Sequence, residues 1–290
     1  MRLSRHHLLI LLALLALYFI WGSTYLAMRF AIESFPPFLM AAIRFLVAGG
    51  LLYLVLWFKG YKAPVGSEWF GAFLVGTLLL AGGNGGVAYA EQTVSSGVAA
   101  LAVATMPLWA AVFASMWKHP PSRREWLGVM IGTIGVVVLN LGTEMQASPV
   151  GAIVLLLAAA SWAFGSIWGK HLSMPKGMMA SASQMLCGGL VLLFMSLFSG
   201  EQWPQQVTQT SFYALIYLVV FGSLVAYSAY LYLFKTVRPA LATSYAFVNP
   251  VVAMMLGALL ANEVIGRAEY VALAIIVLGV LLVLPLGRQR

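Results

Sequence analysis

The sequence predicts an all-α integral membrane protein. Ten transmembrane helices form two inverted five-helix repeats, with both termini on the cytoplasmic side. Three observations predict this. Of 290 residues, 62% are hydrophobic and only 8% charged, with mean hydropathy +0.94. A soluble domain carries roughly 25% charged residues, so the surplus apolar surface needs lipid as its solvent. The apolar residues fall into ten runs of membrane-spanning length, and the first five runs recur as the last five.

A helix covers ~30 Å of hydrocarbon with ~20 apolar residues. Such runs lie near 8–32, 37–58, 69–90, 97–117, 125–141, 150–169, 178–199, 211–234, 240–260 and 269–286. The first follows MRLSRHH, a basic start like that of a signal peptide. It is too long for a cleaved apolar core and ends in no clear small-x-small site, so it reads as a retained span. The second follows Pro36-Pro37 and contains "AAIRFLVAGG" (41–50), with Arg44 as its one charge up to Phe58. The third follows Pro64. The fourth contains Pro107 and ends before Pro120-Pro121. The fifth is the shortest. Pro149, Pro175 and Pro204 precede the sixth, seventh and eighth; the ninth contains Pro250. Turn formers at these places mark short loops.

Lys and Arg set the orientation. With the N-terminus inside, thirteen of sixteen basic residues fall in cytoplasmic segments. The exceptions are Arg29 and Arg267, near the outer side, and Arg44. The outer loops hold Glu33, Glu91, Glu144, Glu201 and Glu263. The net charge of +8 therefore reflects membrane orientation rather than nucleic acid, because the basic residues sit singly between apolar runs.

The repeat is direct in the residues. "WGS" (21–23) matches "FGS" (164–166), and "VSSGVAALAVATMP" (94–107) matches "VRPALATSYAFVNP" (237–250), both at an offset of 143. "REWLGVMIGTIGVVVL" (124–139) resembles "AEYVALAIIVLGVLLV" (268–283) at 144. Five spans per copy is odd, so the second copy crosses in the opposite sense. Inverted halves with Pro- or Gly-interrupted helices at matching positions are the architecture of many secondary transporters. Pro107 and Pro250 are such a pair, and each is expected to kink its helix and free a backbone carbonyl, at Val103 and Ala246. Gly82/Gly86, Gly128/Gly132 and Gly165/Gly169 are spaced for close helix approach. That spacing suits packing within the chain; the Gly128/Gly132 face is also a candidate homodimer face.

Motifs in this order resemble the EamA-type transporters of the drug/metabolite transporter superfamily. They are "FIWGSTY" (19–25), "RF" (44–45), "SSGVAALAVATMPLW" (96–109), "SWAFGS" (161–166), "ATSYAFVNPVVAMMLG" (242–257) and "NEVIGRAEYVALAIIVLGV" (262–280). The similarity covers essentially the whole chain, as one five-helix repeat over 8–141 and a second over 150–286. It implies a ten-helix bundle in a bacterial inner membrane. It also implies a central cavity and export of small metabolites, often amino acids, or drugs. Halves of this family often carry a Gly-Glu pair before their last helix. Here the second half has Asn262-Glu263, and the first has "KHPPSR" (118–123) with no acid.

Polar and aromatic residues inside spans are costly in lipid, which makes them the cavity candidates. They are Trp21 and Tyr25, on one helical face with Tyr18 and Met28. With them stand Arg44, Asn84, Tyr89, Trp162, Gln184, Tyr227, Tyr230, Tyr245 and Asn249. Each aromatic also has a packing explanation; the two asparagines must find partners. Arg44 lies roughly 10 Å in from the outer side at ~1.5 Å per residue, and Gln184 is its repeat counterpart. It either ties helix ends together, through carbonyls or Glu91 or Glu33, or meets an anionic group of a substrate. No carboxylate lies mid-span, so Glu91, ending the third span, is the candidate for proton coupling.

Other classes are poorly served. One cysteine, Cys187, forms no intramolecular disulfide, and no Cys/His metal spacing exists. There is no aspartate, no H-E-x-x-H set and no phosphate-binding G-x-x-x-x-G-K-[ST] loop. The reading is therefore a carrier with no catalytic residues, metal or cofactor, its partners a small-molecule substrate and the bilayer. A non-selective channel or lipid scramblase is the alternative, and a membrane enzyme the more remote one.

Overall fold

A computed structural model describes residues 5–93, 99, 103–117, 121–140, 149–261, 271, 274–275, 277–279 and 281–282. The described residues form helices and loops, with no strand among them. In chain order the helices are α1 (His6–Ile32), α2 (Pro37–Phe58), α3 (Gly66–Ala90), α4 (Met106–Met116), α5 (Arg123–Asn140), α6 (Pro149–Trp168), α7 (Met178–Phe198), α8 (Gln209–Thr236) and α9 (Tyr245–Ala261). A short helix, Pro239–Ala242, precedes α9. Helices α1, α2, α3, α6, α7 and α8 are long and apolar enough to cross a membrane, and α4 is a shorter apolar helix. Most of the expected tenth span lies outside the described residues, as do most of 97–102, Lys118, Glu144, Glu263, Arg267 and Glu269.

Local chemistry sets the helix ends. Pro37 opens α2, where its missing N–H costs nothing. The next two donors, Phe38 N and Leu39 N, meet the carboxylate of Glu201 at 3.1 and 2.8 Å, a negative group at the positive end of the helix dipole. Helix α2 ends at Gly60 (φ 80°), with Tyr61 N bonded to Leu56 O at 3.1 Å. Helix α7 ends in the same way at Gly200 (φ 70°), with Glu201 N bonded to Ser196 O at 3.1 Å. Only glycine adopts this left-handed cap without strain. Ser122 and Glu125 cap α5 reciprocally: Ser122 N donates to Glu125 Oε2 (2.8 Å) and Glu125 N to Ser122 Oγ (3.3 Å).

Helices α2 and α7 pack closely, and the contact is reciprocal. A Cβ on Gly49 would lie 2.9 Å from Leu186 N, and a Cβ on Gly189 would lie 2.9 Å from Leu46 Cγ and 3.0 Å from Leu46 N. Glycine is required on both helices because backbone occupies the space.

One expectation is corrected. Pro107 does not kink a helix interior: the chain turns at Ala104–Thr105, and Pro107 sits in the first turn of α4. There its missing N–H leaves no intrahelical bond broken. Pro250 does lie inside α9, but the break in that segment comes earlier, at Thr243–Ser244. The Gly128/Gly132 face is taken up within the chain. A Cβ on Gly279 would sit 2.6 Å from Gly132 N and 2.9 Å from Gly128 O, and one on Gly132 would sit 2.9 Å from the Phe247 ring.

The loops gather at two ends. At the acidic end, Glu201 caps α2, Ser34 bonds Ser211 at 2.9 Å, and Tyr89 stacks on Phe38 beside Glu91. At the basic end, Trp117 stacks on His171 (5.2 Å), Lys170 lies over the Phe234 ring (4.7 Å), and Arg238 pairs with Glu125.

Candidate functional site

Three helices that look continuous in sequence contain π-helical segments: Leu17–Trp21 in α1, Thr77–Gly85 in α3 and Leu218–Val225 in α8. A π turn takes some carbonyls out of the regular ladder, and side chains from other helices meet them here. Trp21 Nε1 donates to Gly222 O at 3.0 Å. Asn249, oriented with its amide nitrogen toward three carbonyls, donates among Tyr245 O (3.0 Å), Leu17 O (3.2 Å) and Tyr18 O (3.3 Å). The opposite orientation would set oxygen against oxygen. Thus α8 and α9 are stitched to the π segment of α1.

Beside the π segments of α1 and α3 lies a cavity of about 530 Å³, counting its mouth. Of the sequence candidates, Trp21, Tyr25, Arg44, Asn84, Trp162, Tyr245 and Asn249 line it together. Tyr227, Tyr230 and Gln184 do not reach it; they lie buried behind the wall. Tyr227 Oη donates to Gln184 Oε1 at 2.5 Å. Ser166 gives its proton to Trp162 O (2.7 Å), so Tyr230 Oη donates to Ser166 Oγ (2.6 Å). Tyr89 is elsewhere, 43% exposed and stacked parallel on Phe38 at 5.6 Å.

The floor of the cavity is aromatic. Trp21 packs edge-on to Trp162 (5.5 Å) and Tyr245 (4.7 Å), and tilts over Tyr230 (5.2 Å). Tyr245 Oη reaches Met106 Sδ at 3.3 Å, joining the first turns of α9 and α4. Edge-to-face aromatic pairs add about 0.5–1.5 kcal/mol each beyond burial, which stabilises this aromatic cluster.

Arg44 is the buried cation of the site, 2% exposed. Its Nε donates to Ser223 Oγ at 2.8 Å in the π segment of α8, and its guanidinium lies 4.8 Å from the Phe45 ring centre. Gly222 makes room for it, since a Cβ there would come within 2.8 Å of Nη2. Nη1 is buried with no hydrogen-bond partner, as are Asn84 Oδ1, Trp162 Nε1 and both carboxylate oxygens of Glu91. Arg29 and Arg44 are the cations whose charge acts on Glu91, yet among the described residues neither comes within 4 Å of its carboxylate. Buried polar atoms are normally paired. Of these residues, Arg44, Asn84 and Trp162 line the cavity and Glu91 does not.

Sequence reading missed Ser223, Gly222, Gly83 and Met106. Gly83 is recoverable in hindsight from "GGNGG" (82–86): a Cβ there would strike the Trp162 ring at 2.6 Å. Ser223 carried no signal, because its role depends on a π turn.

The family model for EamA-like transporters matches residues 8–141 and 149–284. The chain belongs to the EamA-like transporter family. It is 47% identical over 277 residues to the inner membrane transporter YedA of Escherichia coli, covering 95% of this chain and 90% of that protein. It is 28% identical over 272 residues to protein PecM of Dickeya dadantii, covering 91% and 88%. A solved structure superposes with TM-score 0.78 at 18% identity over 93% of this chain and 94% of its own, which shows a shared fold. As an EamA-like protein the chain is a multi-pass membrane transporter rather than an enzyme.

Proposed function

We propose that this transporter exports small amphipathic metabolites, amino acids or related solutes, and drugs of similar character, from the bacterial cytoplasm. It does so by alternating access through the central cavity, in the inner membrane. Ten transmembrane helices form two inverted repeats, 8–141 and 150–286, with both termini cytoplasmic. The acidic end is then the outer side, and the cavity opens toward it.

One observation carries the substrate reading. Arg44, whose Nη1 is buried and unpartnered, lines an aromatic-walled cavity. An aromatic wall accepts an apolar body, and a guanidinium donor accepts a carboxylate or similar anionic group. The reciprocal glycine contacts of α2 and α7 support the repeat. So do the π segments at 77–85 and 218–225, which fall at corresponding places in the two halves. The packed floor favours a carrier over an open pore.

The test is uptake into proteoliposomes across a panel of amino acids and cationic drugs. Saturable flux is expected; flux linear in concentration would favour a channel. Arg44→Gln should leave the protein folded and lower transport of anionic and zwitterionic solutes by about 10- to 100-fold, the worth of a charge-assisted hydrogen bond. Equal loss for all solutes, or loss of fold, returns Arg44 to a structural role.

Glu91 is the proposed proton-coupling group, because both its oxygens are buried and unpaired beside the cavity wall at Val87. Acidification-driven uptake into everted vesicles should disappear in Glu91→Gln. Uptake that persists removes Glu91 from the mechanism.

A further inference from the structure

The basic end carries a second cavity of about 260 Å³, below the aromatic floor. Pro107, Ala111 and Ala114 of α4, Pro121, Pro239 and Ala240 form its wall, closed by Glu125 and Arg238. Met106 lines the upper cavity and Pro107 the lower one. The two spaces thus meet consecutive residues of α4, where Tyr245 Oη also contacts Met106 Sδ.

We infer that the Glu125–Arg238 ion pair is a latch that ties the two halves together at the basic end and keeps the transport path closed there. Arg238 Nε lies 2.8 Å from Glu125 Oε1. Glu125 belongs to the first turn of α5, in the first repeat. Arg238 stands before the Pro239–Ala242 helix, in the second. The inference rests on the alternating-access reading above.

Three features fit a latch rather than an incidental surface pair. The Glu125 carboxylate is fixed in place, since its other oxygen accepts from Ser122 N at 2.8 Å. Its side chain is 9% exposed, whereas that of Arg238 is 57% exposed. Water therefore reaches one partner, and the pair can open. The neighbouring cation, Arg124, is engaged otherwise, with Nη2 donating to Leu281 O at 3.3 Å.

The sequence makes the latch one-sided. By the repeat offsets, Arg238 corresponds to Ser95 and Glu125 to Glu269. In the sequence the acid is retained and the cation is not. Of the two copies of this pair of positions, only 125 and 238 combine an acid with a cation. This biases the resting protein toward a cavity open at the acidic end.

The experiment places a reporter cysteine, Val103→Cys, in the cavity wall of the full chain with Cys187→Ser. Labelling by a membrane-impermeant maleimide is then compared from each face of sealed vesicles. Labelling from the basic-end face should be low in the parent. It should rise about threefold to fivefold in Arg238→Ala and in Glu125→Gln, the range open to a partly exposed pair. The Gln side chain keeps an acceptor for Ser122 N, so a lost helix cap does not explain the rise. Arg238→Lys should label like the parent. Parent-level labelling in folded Arg238→Ala and Glu125→Gln overturns the latch, as does labelling in Arg238→Lys as high as in Arg238→Ala. A second reporter, Tyr61→Cys in the loop after α2, reads orientation independently. Its labelling from the periplasmic face would overturn the topology, while the variant-to-parent ratio still judges the latch.

Discussion

Arg44 and Gln184 stand at counterpart positions on α2 and α7, yet they live differently. Gln184 is buried against Tyr227, with its oxygen bonded at 2.5 Å, away from the cavity. Arg44 is equally buried, but its Nη1 has no hydrogen-bond partner and its side chain lines the cavity. Both side chains reach α8: Gln184 meets Tyr227 in its helical part, and Arg44 meets Ser223 in its π segment. One crossing of two helices thus carries a closed polar contact on one side and an open one on the other. A polar residue in a span is not by itself evidence of a binding site; what distinguishes the two is whether its hydrogen-bonding capacity is already spent.

This contrast can be broken at its base. Gly49→Leu should have the largest effect, because the new side chain meets the backbone of α7. Overpacking of this kind costs about 1–3 kcal/mol or more, and the variant should lose most folded yield and its thermal transition in detergent. A normal melting curve would mean that the crossing is looser than described. Next comes Ser223→Ala, which removes the partner of Arg44 Nε. It should lower transport of anionic or zwitterionic solutes about fivefold, for ~1 kcal/mol, with little effect on neutral ones and on the melting temperature. An equal effect on every solute would argue against Ser223 positioning the guanidinium. The smallest transport effect belongs to Gln184→Leu. It should destabilise the protein by ~1 kcal/mol through the stranded Tyr227 hydroxyl while leaving KM within twofold. A large rise in KM would place Gln184 in the substrate path after all.

Much of this was legible beforehand because membranes impose simple rules. Apolar run length marked the helices, and the structure follows the second and seventh spans to within a residue at each end. Seven cavity candidates converge on one space because polar and aromatic groups in a span must turn inward. The failures have physical causes as well. Tyr89 satisfies the same compositional rule but sits at a helix end near the acidic loops, where an exposed ring stacking on Phe38 is tolerated. Pro107 matched Pro250 in alignment, yet the helix break falls just before one and several residues before the other. The Gly128/Gly132 stripe announced close packing without naming its partner, and Gly279 and Phe247 of the same chain fill it.

By itself the sequence determined the solvent, the helical class, the family and the shortlist of polar groups. Composition, run length and motif order act along the chain and survive without coordinates. The tertiary structure alone decided which hydrogen bonds are closed. The π segments, the grip of Ser223 on Arg44 and the pairing of Glu125 with Arg238 join residues 179 or 113 positions apart. Whether a buried polar atom is satisfied depends on what another helix brings within about 3 Å of it, and that proximity is a property of the fold.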